Sequence, residues 1–170
     1  MGNNLDKYNP SMNLTQLPLT YQKTIPTEYL DFVGHMNVMW YTHLFDLATF
    51  KFYETFGFGE HYHTQTALGS FALEQHTRYL AEVRAGEAVS IRTRALGRAA
   101  KILHFMHFMV EDADGALAAT TELVGVHIDM STRRSSPFPE HIAAGFDEIL
   151  AAHQKLDWDV PVCGVMGVKK

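Results

Sequence analysis

The sequence predicts an α+β fold: a curled antiparallel sheet of five to six strands wrapped around one long central helix, with a second helix toward the C-terminal end. Three observations predict it. One segment of helical length is apolar around almost its whole circumference, which is the pattern of a buried helix. Four long segments after it have strand composition and are separated by short turns, as in an antiparallel meander. A single sheet can bury such a helix all round only by curling about it, or with a second subunit covering the other side.

Taken in order, Leu17 to Glu28 sets Leu19, Tyr21 and Ile25 among Thr, Gln and Lys, a first strand ending near Pro26. A short glycine-containing segment, Asp31-Phe-Val-Gly-His-Met-Asn37, follows, and Asn37 is placed to cap the next helix. That helix is expected over Val38 to Phe56, with Gly57 as its stop. Thr42, Asp46 and Thr49 form its one narrow polar stripe, read as a helix–sheet or subunit contact or as a substrate-facing edge.

Gly59 to Gly69 is expected to be a loop. Strands are expected over Ser70 to Val83, Ala88 to Leu96, Ile102 to Glu111 and Ala116 to Asp129. The turns between them are Gly86-Glu87, Gly97 to Lys101 and Asp112 to Gly115, the last a good hairpin sequence. Within Ala88 to Leu96, Val89, Ile91, Thr93 and Ala95 alternate with Ser90, Arg92 and Arg94, which reads as a half-exposed strand. Pro137 and Pro139 precede a second helix, about Glu140 to Leu156. The chain therefore divides into a flexible segment 1–16, a main domain 17–132, and a C-terminal helix and tail 133–170 packed on that domain.

Composition narrows the function. The chain is 46% hydrophobic and 19% charged, ordinary for one globular domain of 170 residues. The formal charge of −5 argues against a nucleic-acid partner, whose phosphates need Lys and Arg. No apolar run approaches the ~20 residues of a membrane helix, and the polar start lacks the apolar core of a signal peptide. Cys163 is the only cysteine, so neither an internal disulfide nor a thiolate metal cluster is expected. This suits a reducing, cytoplasmic setting. The ten histidines give no recognisable metal motif. His104 and His107 point to opposite strand faces, and His61 and His63 lack an evident third ligand, so no metal is expected.

The segment opening the central helix can do chemistry. Attack on a carbonyl builds negative charge on oxygen, and a helix start offers unpaired N–H groups and the positive end of a dipole. One well-placed donor is worth ~3–4 kcal/mol in the transition state. The amides of Gly34, His35 and Met36 lie at that end, and glycine admits close approach. Asp31 lies near enough to act as nucleophile or as general base on water, or it is a plain turn carboxylate. His35 can polarise the carbonyl or hold the loop in shape. Asn37 can cap the helix or position a water.

Asp31-Phe-Val-Gly34-His35-Met36-Asn37, followed by Trp40-Tyr41 and Leu-Phe-Asp-Leu-Ala, resembles the signature of hotdog-fold acyl-CoA thioesterases, and within them the betainyl-CoA branch. The resemblance covers about Leu17 to Asp129. It implies a hotdog fold, acyl-CoA as substrate, no cofactor, and a homodimer or homotetramer with sites between subunits. It also implies catalytic roles for Asp31, Gly34, His35 and Asn37, and points to Glu74 as a carboxylate offered near a neighbouring subunit's helix start; otherwise Glu74 is a surface charge. For coenzyme A phosphates the candidate cations are Arg98, Lys101, Arg133 and Arg134. Trp40 and Tyr41 are candidates for an aromatic wall around the acyl group, against a plain core role. The alternatives are a hotdog dehydratase, which normally spaces its aspartate and histidine as Asp-x-x-x-x-His, and a non-catalytic acyl-CoA-binding module.

Overall fold

The computed structural model describes residues 12–168. Its sheet has the order β1-β3-β4-β5-β2, antiparallel throughout, with a two-residue β6 on β5. The strands are β1 (Leu19–Thr24), β2 (Leu68–Tyr79), β3 (Ala88–Arg98), β4 (Ile102–Glu111), β5 (Leu117–Asp129) and β6 (Arg134–Ser135). The helices are α1 (Val38–Glu54), α2 (Glu60–Thr66) and α3 (Glu140–His153). This is the α+β arrangement expected, a curled sheet with α1 lying in it, and it is the hotdog fold.

α1 begins where Asn37 Oδ1 accepts the Met39 N–H at 3.0 Å, satisfying one of the first-turn donors. It ends at Glu54 rather than Phe56, and Gly57 turns the chain away at φ +80°. Leu44, Phe45, Ala48 and Phe52 are at most 1% exposed against the concave face. The expectation that the helix is buried all round needs correction within one protomer. Val38, Met39 and Phe50 lie exposed, because the sheet reaches only one side of the helix. Gly125 lets α1 sit deep: a Cβ there would stand 3.1 Å from the Tyr53 hydroxyl.

The expected loop from Gly59 to Gly69 contains α2, a polar helix that buries only Tyr62. β2 starts earlier than expected, at Leu68, and ends at Tyr79 rather than Val83. A bulge lies between Ala72 and Glu74, opposite Gly125 and Val124. Leu14–Gln16 form a 3-10 turn capped by Asn13, while residues 1–11 of the expected flexible segment lie outside the described residues.

β3 is more buried than its alternation suggests, since Ser90 and Arg94 are 8% and 7% exposed. The chain after α3 explains this by covering the face of the sheet turned away from α1. Trp158 packs with Leu17, Met106 and Phe108. The Arg94 guanidinium lies 4.1 Å from the Trp158 ring centroid and donates to the carbonyls of Trp158 and His153. Trp158 Nε1 donates to Gln16 Oε1, so the segments before β1 and after α3 meet.

The core holds neutral histidines. His107, fully buried, is held by Thr49 of α1 at 2.9 Å and Thr93 of β3 at 2.7 Å. Burial pushes its imidazole down to about 3. Burial, then the nearby Arg94 charge, pushes His153 down to about 4. Both protonate more readily once unfolded, so the stability they confer is present above about pH 6.5 and is lost as pH falls toward those values. Each should cost about 1.4 kcal/mol on going from pH 7.5 to pH 5.5. Urea unfolding followed at those two pH values should lose about 2–3 kcal/mol of stability. An unchanged unfolding free energy would mean that neither imidazole is held neutral.

Candidate active site

The Asp31 segment is a tight turn pinned at both ends. Leu30 and Met36 form an antiparallel bridge, the Asp31 N–H donates to the His35 carbonyl at 3.0 Å, and the Gly34 N–H donates to the Asp31 carbonyl at 3.1 Å. Gly34 adopts φ +92°, a conformation side chains disfavour, which is why glycine stands there. Asp31 Oδ1 accepts the Val33 N–H at 3.0 Å. Its other oxygen lies 3.6 Å from His35 Nδ1, longer than a hydrogen bond. The Asp31 side chain is 19% exposed, sheltered yet reachable.

Of the three amides expected to meet a developing oxyanion, two are engaged. Gly34 serves the turn, and Met36 N–H donates to the Val83 carbonyl at 2.7 Å. The His35 N–H makes no hydrogen bond among the described residues. It lies between Asp31 and the start of α1, and a cleft of ≈ 330 Å³ lined by His35, Met36, Val38, Tyr41 and Tyr79 opens beside it. Asn37 is the helix cap, with its backbone N–H given to the Tyr29 carbonyl. Asp31, Gly34, His35 and Asn37 are thus brought together around one free amide.

Of the aromatic candidates, Tyr41 lines that cleft and Trp40 does not. Trp40 stacks on Tyr29 with ring centroids 3.7 Å apart and planes 5° apart. Tyr41 is 4% exposed, edge-on to Tyr79, and burial pushes its hydroxyl up to about 12. Both aromatics pack into the core around α1. Glu74 is exposed and registers with Val124, so it points to the face away from α1. The bulge before it shifts the alternation and puts Gln75, opposite Leu123, on the helix side.

Arg98 is held by two hydrogen bonds to Asp147 of α3, and these bonds keep that carboxyl below its ordinary range. Lys101 reaches the Ser135 carbonyl at 3.3 Å, which places it beside Arg134 on β6. The Arg133 guanidinium lies 5.7 Å from the Phe71 ring centroid. Lys101, Arg133 and Arg134 therefore share one edge, while Arg98 is committed to α3.

Two features went unread in the sequence. A cavity of ≈ 450 Å³ lies between α1 and the β2–β5 pair, lined among others by Asp46, Phe50, Tyr53, His63, Ser70 and Phe71. Burial pushes the Tyr53 hydroxyl up to about 12, against a hydrogen bond from Ser70 that lowers it. The polar stripe of Thr42, Asp46 and Thr49 was the available signal: Thr49 meets the sheet and Asp46 meets the cavity. On the opposite face, His76, Glu122 and Cys163 converge from three separate segments. No spacing rule could have joined them.

A family model described as the thioesterase-like superfamily matches residues 25–146. The betainyl-CoA thioesterase of Pseudomonas aeruginosa is 28% identical over 155 residues, covering 91% of this chain and 98% of that protein. The L-carnitine dehydrogenase/betainyl-CoA thioesterase of Ruegeria pomeroyi is 36% identical over 134 residues, covering 78% of this chain and 27% of the longer protein. Among solved structures, a Staphylococcus aureus protein in complex with CoA is 25% identical with a TM-score of 0.80, covering 90% of this chain and 97% of that one.

Proposed function

The chain belongs to the thioesterase-like superfamily and is a thioester hydrolase, and from that premise we propose that it cleaves a short, polar acyl-CoA at the Asp31 turn. The observation that carries this reading is the unpartnered His35 N–H at the start of α1, in the turn whose Asp31 carboxylate lies 3.6 Å from the His35 ring. The thioester carbonyl oxygen rests against that amide. Asp31 either adds to the carbonyl carbon, giving a mixed anhydride that water then opens, or takes a proton from the attacking water. Both routes pass through an oxyanion that the amide and the helix dipole stabilise, and both break the C–S bond, releasing CoA thiol and free acid. His35 and Asn37 keep the turn and the helix start in register. Glu74, facing the other way, has no part in this geometry within the protomer.

A short acyl group fits the cleft that opens beside His35. Betainyl-CoA is the leading substrate, because two relatives bear that activity in their names and because the cleft beside His35 carries the rings of Tyr41 and Tyr79 and the carboxylate of Glu82. Aromatic faces and one anion suit a trimethylammonium group, with ~1–2 kcal/mol from a desolvated cation–π contact. CoA phosphates fall to Lys101, Arg133 and Arg134. The protein works as a homo-oligomer, joined along the open edge of β2 and the exposed side of α1, where Met39, Phe50 and Leu73 need cover.

Three outcomes test this. Asp31→Asn should lower turnover at least a hundredfold, the scale of lost acid–base catalysis, with folding intact. More than a tenth of wild-type turnover would remove Asp31 from the mechanism. Betainyl-CoA should exceed palmitoyl-CoA in kcat/KM at least tenfold, about 1.4 kcal/mol, in a competition followed by free thiol and mass spectrometry. Glu82→Gln should erode that ranking and Trp40→Leu should cost stability instead; a long-chain preference would dismiss the cationic substrate and leave the hydrolase. Light scattering at micromolar concentration should give at least twice 19.2 kDa, and a fully active monomer would refute the assembly.

A further inference from the structure

The outer face of the sheet carries a polar cluster that the hydrolytic reading does not use. Glu122 of β5 is 0% exposed, an unusual place for a carboxylate. Its Oε1 accepts from His104 Nε2 of β4 at 2.8 Å, and its Oε2 accepts from the Cys163 N–H at 2.7 Å. Burial pushes this carboxyl up, but the bonds from Cys163 and His104 outweigh it and hold the group below its ordinary range. His76 stands directly opposite Glu122 on β2. Its Nδ1 is closed off from solvent and has no hydrogen-bond partner among the described residues. Buried nitrogens are nearly always satisfied, so this one calls for a ligand.

We propose that His76 Nδ1, a Glu122 carboxylate oxygen and Cys163 Sγ bind one transition-metal dication of the zinc class, which clamps the segment after α3 to β5 and β2. The three donor atoms lie within 4.8 Å of one another. Tetrahedral donors at ordinary zinc distances sit roughly 3.3–3.8 Å apart, so a modest inward shift closes the site. A thiolate and a carboxylate balance the dication's charge, and neutral imidazole completes a mixed S, N, O set. That set disfavours calcium and magnesium, which take oxygen alone. His104 holds Glu122 from behind, as outer partners of ligating carboxylates do. A fourth position remains for water. The site stands on the face away from α1, so its work is structural, and hydrolysis at Asp31 proceeds without it. The simpler reading is that Glu122 only tethers the tail by accepting the Cys163 N–H.

Purified full-length protein, stripped with a chelator, separates the two. Titration with Co²⁺ should saturate at one ion per chain and produce a thiolate-to-cobalt charge-transfer band, and calorimetry with Zn²⁺ should give the same stoichiometry. Cys163→Ser should abolish the band. Cys163→Ser and His76→Ala, both at partly exposed positions, should each weaken Zn²⁺ binding at least tenfold while leaving the circular dichroism spectrum unchanged. Zinc should raise the melting temperature of the wild type and not that of Cys163→Ser. Absence of stoichiometric binding, absence of the band, or equal zinc affinity in the variants would each overturn the proposal and leave a plain tether.

Discussion

The architecture depends on one constraint: a helix too apolar for water must be buried by a sheet that can cover only one side of it. Leu44, Phe45, Ala48 and Phe52 fill the concave face so closely that β5 gives up a side chain at Gly125 to admit Tyr53. That depth fixes where the helix begins, and the Asp31 turn is pinned there by backbone bonds to Tyr29 and Val83. The turn's rigidity is therefore inherited from the core. Of the amides of Gly34, His35 and Met36, that of His35 is left over after these bonds are made, in the turn that carries the carboxylate. The side of α1 that the sheet does not reach keeps its own apolar residues, which is where a second copy belongs.

Polar groups inside the sheet follow the same economy. His107 bridges Thr49 and Thr93, and His127 meets the Tyr62 hydroxyl and Ser136. Each is a neutral ring whose two nitrogens both find partners, so it ties helix to strand or loop to strand without a buried charge. His76 departs from this habit, and so does Glu122, a carboxylate on a face closed off only by the tail.

Much of the fold could be read from residue pattern alone. The central helix announced itself by composition, its start by Asn37, and the strands by their turns. α2 was missed because Glu60 to Thr66 is short, polar and without an apolar repeat. β3 looked half-exposed because alternation records one neighbour, the helix, and cannot see the tail that later covers Arg94. Trp40 and Tyr41 sit beside the motif in sequence; both pack into the core around α1, and Tyr41 also lines the cleft beside His35. The Asp31 turn was found because its residues are contiguous. Glu74, offered as a carboxylate near a neighbouring subunit or as a surface charge, stands exposed on the outer face, and the bulge before it, which no local signal marks, shifts the alternation of the residues that follow. The cavity and the His76–Glu122–Cys163 cluster draw on strands and a tail far apart in the chain, and only the assembled sheet brings them into contact.

The tail's position over the sheet also orders events in time. Residues 154–168 are synthesised after every strand they cover, at roughly 5–20 residues per second. For some seconds a nascent chain can complete its sheet while Met106 and Phe108 face water, with Glu122 lacking its bond to Cys163. Until the tail arrives, Met106 and Phe108 on the outer surface add an apolar patch to the one on the side of α1 that the sheet does not reach.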